Sequence, residues 1–163
     1  MKLAERTKID NGHDLDPIDR RILALLQEDA KRSQAEVAKA VGLTAPSVNE
    51  RIRKLERAGF IRGYVALLDD RMLGHDITAF VEVFVEHPRF EAAFIQAVSE
   101  LDEVLECHHI TGEFSLLLKV KVTDMTAFRR LLIEKLNAIR GVRQTRTVMV
   151  LSTSKEQHRI KVD

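Results

Sequence analysis

Between residues 15 and 60 the apolar positions recur at helical spacing and fall into three short runs. Ile18, Ile22, Leu25 and Leu26 form a stripe behind Asp16 and Pro17, a cap and a first-turn proline, so a helix is expected over 17–28. Ser33, Gln34, Ala35 and Glu36 make a capping box ahead of Val37, Ala38 and Val41. Gly42 supplies a left-handed stop, which predicts a second helix over 34–41. Thr44 caps a third run with Pro46 in its first turn, Val48, Ile52 and Leu55 along one side and Gly59 beyond, giving a helix over 45–58.

Past Phe60 the period falls to two, and the apolar-rich stretch over 61–68 reads as a strand joining two parts. Over 77–86, Ile77, Ala79, Val81, Val83 and Val85 share one face and Thr78, Phe80, Glu82, Phe84 and Glu86 the other, the alternation of a strand. Pro88 opens a helix bearing Phe90, Phe94, Ala97, Val98 and Leu101, and a strand follows over 104–110. After a turn at Gly112 and Glu113, a strand over 114–122 points Phe114, Leu116, Leu118, Val120 and Val122 inward. Asp124 caps a helix with Phe128, Leu131, Leu132 and Leu136, Gly141 ends it, and 142–151 is the last strand. A shift of 38 positions lays Phe90 on Phe128, Phe94 on Leu132, Val98 on Leu136 and Val104 on Val142. The fold class expected is α+β: an N-terminal helix-turn-helix, winged-helix-like, then a C-terminal ferredoxin-like βαββαβ sandwich with two helices on one face of an antiparallel sheet.

Such a sheet has a second face. If the valines of the first strand lie under the helices, Phe80 and Phe84 project the other way with Leu117, and Leu105 and Cys107 are assigned there too. Leaving large apolar side chains in water forgoes about 1.5–3 kcal/mol each. A second subunit is expected to cover them, the alternative being a scatter of exposed apolar residues.

Composition narrows the classes. A chain of 163 residues with 45% hydrophobic and 31% charged positions builds a real core and is too short for a large multidomain enzyme. No run approaches the roughly 18 apolar residues of a membrane span, and the polar start lacks the apolar stretch of a signal peptide, so a cytoplasmic protein is expected. The single cysteine, Cys107, forms no intramolecular disulfide. A net charge of +1 hides an asymmetry: residues 1–63 carry 13 Lys and Arg against 10 Asp and Glu. The excess concentrates in 43–62, where Arg51, Arg53, Lys54, Arg57 and Arg62 face only Glu50 and Glu56, a composition suited to a polyanion.

Small Ala38 lets the second and third helices approach, Gly42 makes their turn, and Val37, Val41, Leu43 and Val48 lock the pair, which is a helix-turn-helix pattern. With Val48, Ile52 and Leu55 inward, Pro46, Asn49, Glu50, Arg53 and Arg57 face outward, with Ser47 and Arg51 on the flanks. Asn49 can pair with adenine and Arg53 with guanine, so these two are the expected base readers. Arg51, Lys54 and Arg57 are expected on phosphates, as are Ser33 or Gln34 at the start of the second helix, with Thr44 and Ser47 completing the DNA-facing set. Glu50 either accepts from cytosine or pairs with Lys54 one turn on. A solvated helix face is the plain alternative for each.

The chain resembles the Lrp/AsnC, or feast/famine, transcriptional regulators of bacteria and archaea over about residues 15–151. The resemblance is carried by LDPIDRRILALLQEDAKRSQAEVAKAVGLTAPSVNERIRKLERAGFIRGYVALLD, ITAFVEVFVE, CHHITGEFSLLLKVKVTDM and GVRQTRTVMVL. It implies that the helix-turn-helix over 15–60 is of the winged or extended kind and binds DNA, that 61–76 is a linker strand and hinge, and that 77–152 is an effector-sensing, oligomerising domain. A polar arm over 1–14 and a tail over 153–163 flank them. It also implies dimers that often assemble to tetramers or octamers, double-stranded DNA as partner at the nucleoid, and an amino acid or related metabolite as effector, with no cofactor. The family's effector loop follows Gly-x-x-Asp, met here by Thr111, Gly112, Glu113 and Phe114 with Ser115 at the aspartate position. An aspartate can hold an ammonium group by charge, whereas serine offers one neutral donor and acceptor. Either Glu113 or a neighbouring subunit supplies the charge, the ligand differs, or no effector binds; a plain hairpin turn is the alternative.

Other chemistry is poorly supported. Cys107 and His109 share one side of a strand and His108 the other, so a zinc site needs His87 or another chain, and no metal is expected. No third group orients a Cys-His nucleophile, and phosphate-loop, zinc-protease and nucleophile-elbow motifs are missing, so no enzyme is expected. The rival readings are an architectural protein that wraps DNA with little sequence preference and a ligand-sensing regulatory subunit of a metabolic enzyme. The 1–14 segment is either a disordered end or an arm touching DNA.

Overall fold

A computed structural model describes residues 14–162, so the expected N-terminal arm lies, save for Asp14, outside the described residues. The chain divides into two compact units, one built from 14–67 with 155–162, the other from 68–154.

The first unit holds three helices, α1 (Pro17–Glu28), α2 (Gln34–Val41) and α3 (Ala45–Arg57). Each begins where a short polar side chain satisfies an amide left free by the first turn: Asp16 accepts from Asp19 N at 2.7 Å, Ser33 from Glu36 N at 3.2 Å and Thr44 from Ser47 N at 3.4 Å. Gly42 stops α2 at φ 70°, and its freedom there lets the chain turn sharply into α3. Ile22, Leu25, Val37, Ala38, Val48 and Leu55 close the core of the three helices. The tail returns to this unit: the Gln27 side-chain amide donates to Ile160 O at 3.0 Å and accepts from Ile160 N at 2.8 Å.

Residues 61–68, expected as a strand, form none. An extended segment becomes a strand only beside a partner that takes up its amides and carbonyls. Tyr64 is fastened instead by its side chain, the hydroxyl donating to Glu56 at 3.0 Å.

In the second unit the order is β1 (Ile77–Val85), α4 (Glu91–Val98, entered through a 3-10 turn Pro88–Phe90), β2 (Val104–His109), β3 (Leu116–Val122), α5 (Met125–Arg130) and β4 (Val142–Met149). The strands form one antiparallel sheet in the order β2-β3-β1-β4, the ferredoxin-like arrangement. Ala79, Val81, Val83, Val85, Leu116, Leu118, Val120 and Val122 are buried against Phe94, Val98, Phe128, Leu131 and Leu136 of the helical layer. Beyond Arg130, α5 widens into a π-helical stretch Leu131–Leu136, and Asn137 N donates to Leu132 O at 2.9 Å.

Three placements differ from the alternation rule. A bulge between Val104 and Glu106 shifts the register of β2, so Cys107 pairs with Leu118 and packs against the core rather than on the open face. Leu105 lies in the bulge and is 51% exposed, and Glu106 and His108 continue the open face with polar groups. Phe114 is buried yet outside the core cluster; it precedes β3 and lies under the Arg146 guanidinium, 4.9 Å from its ring centroid.

Candidate DNA-binding and effector sites

Packing Val48 and Leu55 inward rotates the opposite side of α3 to solvent. Pro46, Ser47, Glu50, Arg53, Lys54 and Arg57 are exposed there, and Asn49 is half-buried. Asn49, Arg53 and Arg57 stand four residues apart on a single stripe. Among the described residues neither Arg53 nor Arg57 has an ion-pair partner, so both guanidinium groups present their full set of donors.

The remaining candidates are partly engaged. Lys54 pairs with Glu50 at 3.2 Å, the second of the two roles open to that glutamate. Arg51, expected on a phosphate, turns toward α1, with Nη1 2.6 Å from Asp16 and 2.8 Å from Asp19. Ser33 is closed into its capping box, its hydroxyl donating to Glu36 at 2.7 Å and its amide to the same carboxylate at 2.8 Å. The Ser33 hydroxyl and amide hold the Glu36 carboxyl below its ordinary range, so an anion already occupies the end of α2 where a phosphate was expected. Gln34 beside it is exposed. Thr44 and Ser47 bond each other, hydroxyl to hydroxyl, at 2.9 Å.

In the second unit the loop between β2 and β3 closes through Ile110 N donating to Ser115 O at 3.0 Å. Thr111, Gly112 and Glu113 are exposed on it. Among the described residues the buried Ser115 hydroxyl has no hydrogen-bond partner. Arg146 of β4, missed by the sequence reasoning, is drawn to this loop: it covers Phe114 and is ion-paired with Glu82 of β1. Glu82, with Glu113 a weaker contributor, holds the Arg146 guanidinium above its ordinary range, and Arg146 holds the Glu82 carboxyl below its own. The signal was available: Arg146 and Glu82 stand opposite each other once β1 and β4 are paired, but sequence alone does not supply that register.

The open face carries Phe80, Phe84 and Leu117, each partly exposed, as expected. Val148, opposite Phe80 in β4 and 51% exposed, belongs with them and was not anticipated. His108 bonds Glu106 at 2.9 Å, and among the described residues no cluster could hold a metal ion. Burial raises the Cys107 thiol above its ordinary range, which disfavours the nucleophilic thiolate. No described helix is long and apolar enough to cross a membrane.

Among known proteins, residues 78–160 match the family model of the Lrp/AsnC ligand binding domain, and residues 15–62 match that of a winged helix-turn-helix DNA-binding domain. The leucine-responsive regulatory proteins of Escherichia coli (strain K12) and Klebsiella pneumoniae are each 44% identical over 153 residues, 93% of this chain and 93% of theirs. Of solved structures, E. coli AsnC superposes with a TM-score of 0.85 at 29% identity, covering 91% of this chain and 99% of its own. A transcriptional regulator from Neisseria meningitidis in complex with L-Met superposes with a TM-score of 0.84 at 32% identity, covering 89% and 95%.

Proposed function

The chain belongs to the Lrp/AsnC family of DNA-binding transcriptional regulators, and on that footing we propose that two copies read a pseudo-palindromic operator and answer to an amino acid. The carrying observation is the outward stripe of exposed Arg53 and Arg57 with half-buried Asn49 on α3. A helix of this size fits the major groove, where Asn49 is matched to adenine and Arg53 to the two acceptors of guanine. Arg57 and Lys54 meet phosphates, Lys54 by giving up Glu50, with Gln34, Thr44 and Ser47 along the backbone path. Such a partner places the protein in the cytoplasm, at the nucleoid.

A second copy of the chain covers Phe80, Phe84, Leu117 and Val148 and so sets the spacing of two α3 helices; tetramers or octamers build on that dimer. The effector is an amino acid held at the 111–115 loop. Arg146, by giving up Glu82, supplies charge for its carboxylate, Glu113 replaces the family aspartate toward its ammonium, and the Ser115 hydroxyl, once uncovered, gives a neutral hydrogen bond. The L-Met complex of the N. meningitidis regulator supports that ligand class. Binding the assembly states unequally, the effector shifts the oligomer or the angle between its DNA-reading units.

The test competes DNA from upstream of the protein's own gene against random-sequence duplex at a stated salt concentration, alone and with each common amino acid, with light scattering alongside. A preference of at least about a thousandfold is the expected result. Equal affinity for both duplexes identifies an architectural DNA wrapper, and no affinity for either returns the sandwich to a metabolic regulatory role. If no amino acid changes scattering or affinity, the effector assignment fails while the DNA assignment stands.

A further inference from the structure

Apolar contact through Val48, Ile52 and Leu55 holds α3 to its neighbours, but burial is non-directional and leaves the fine rotation of the helix less sharply defined than a hydrogen-bonded contact does. Rotation matters for a helix that reads base edges. With side chains a helix has a radius of about 5–6 Å, so turning it by about 20° carries a side-chain tip ~2 Å, beyond what a bidentate hydrogen bond tolerates. A directed contact sharpens the angle that packing sets.

The side-chain contact that ties α3 to α1 has that character. Arg51 Nη1 donates to Asp16 Oδ2 at 2.6 Å and to Asp19 Oδ1 at 2.8 Å. Both carboxylates belong to the first turn of α1 and are themselves held. Asp16 Oδ1 accepts from Asp19 N at 2.7 Å, and Asp19 Oδ2 accepts from Asp16 N at 3.4 Å. The Asp19 side chain is only 5% exposed, so its position is set by packing as well as by bonds. The guanidinium thus joins α3 to a rigid capping box 32 and 35 residues earlier in the chain. It lies two residues from Asn49 and two from Arg53.

We propose that Arg51 is a positioning residue for recognition: by anchoring on Asp16 and Asp19 it fixes the rotation at which Asn49, Arg53 and Arg57 enter the groove, and it touches no phosphate. The inference rests on the reading of α3 as the base-reading helix. It separates two roles that a basic residue on such a helix can have. A phosphate contact adds affinity for every sequence and steepens the dependence on salt, whereas a positioning contact adds preference for one sequence and leaves that dependence unchanged.

The experiment measures the affinity of the full-length protein for its upstream DNA and for random duplex across a salt series, in wild type, Arg51→Gln and Arg51→Lys. Thermal unfolding monitors the fold. For Arg51→Gln the expected result is a preference reduced at least tenfold, with random-duplex affinity within twofold and the salt slope unchanged. Arg51→Lys, which keeps the charge but loses the forked geometry, recovers stability more fully than preference. Where Arg51→Gln fails to fold because the ion pair to buried Asp19 is lost, the triple variant D16N/D19N/R51Q, a neutral amide network, takes its place with the same expectation. A salt slope reduced by about one with parallel losses on both duplexes makes Arg51 a phosphate contact and overturns the proposal. An unchanged preference overturns it equally. Wild type without any preference removes the underlying reading of α3 as well, so the two failures are told apart.

Discussion

Asn49, Arg53 and Arg57 share a stripe, yet their work divides. In the proposed reading Arg53, free to place two donors on the edge of guanine, is the group through which a base is read, and each such pair discriminates by about 1–3 kcal/mol. Replacing it with alanine is expected to relax the requirement at one base position of the operator while leaving random-duplex affinity nearly unchanged. Arg57→Ala is expected to weaken all sequences alike and flatten the salt slope by about one. Binding-site selection with each variant separates the two, and parallel losses in both would show that Arg53 reads nothing. A second prediction at this scale concerns Gly141, where φ is 93° and an added Cβ would lie 2.5 Å from Phe90 Cβ. The atoms met are Phe90 Cβ, Cγ and Cδ2, at the base of the side chain, so turning the ring does not relieve the contact. Gly141→Ala is expected to cost at least about 1–2 kcal/mol from the backbone conformation alone, read as a lowered urea midpoint of the second unit. The exposed half of α3 was legible from sequence because helical period and one buried stripe determine it. The inward turn of Arg51 was not, since its partners lie on another helix and an exposed arginine has the same sequence signature.

Helix starts respond to acid in a way set by their caps. The Asp19 amide first and Arg51 second hold the Asp16 carboxyl low; Ser33 does so for Glu36, and the Ala127 amide for Asp124 at the head of α5. A carboxyl whose folded pKa is depressed binds fewer protons folded than unfolded. Its stabilisation is complete above the ordinary values of about 3.9 for Asp and 4.3 for Glu, and is lost as pH falls through the lower folded values. Urea midpoints are therefore expected to fall as pH is taken from 5.5 to 3. Asp124→Asn, which keeps a capping oxygen but no charge, should fall less steeply in the second unit. Equal slopes for this variant and wild type would remove Asp124 from the account. Elements of this kind were the most readable part of the chain, since a cap and its bond partner sit three residues apart and need no tertiary context. The misreadings arose where pairing across the sheet decides: the bulge at Leu105 that returned Cys107 to the core, and the stretch over 61–68 that is no strand without a neighbour.

At the scale of the molecule, one face of the sheet is finished and the other is not. Helices seal Ala79, Val81, Val83, Leu116, Leu118 and Val120, while Phe80, Phe84, Leu117 and Val148 remain partly or half exposed with Glu82 and Arg146 paired among them. Period-two alternation revealed the two phenylalanines and Leu117, whereas Val148 became a neighbour of Phe80 only once β4 lay beside β1. Covering a fully exposed side chain of this size is worth about 1.5–3 kcal/mol, these partly buried ones less, and a two-fold pair would cover eight of them, which is the burial that the proposed dimer sets against the cost of ordering two chains. Phe84→Asp places a charge in that contact and is expected to yield a monomer in sedimentation equilibrium, with its folded content intact because the substituted side chain lies outside the core. The consequence for DNA is sharper than lost affinity. A monomer still carries Arg53 and Arg57, so it should bind half-sites and random duplex much as one wild-type subunit does, yet be indifferent to half-site spacing, which the proposed dimer would read through the distance between its two α3 helices. If Phe84→Asp remains a dimer, or discriminates spacing as wild type does, the second copy lies elsewhere on the molecule and this face has another use.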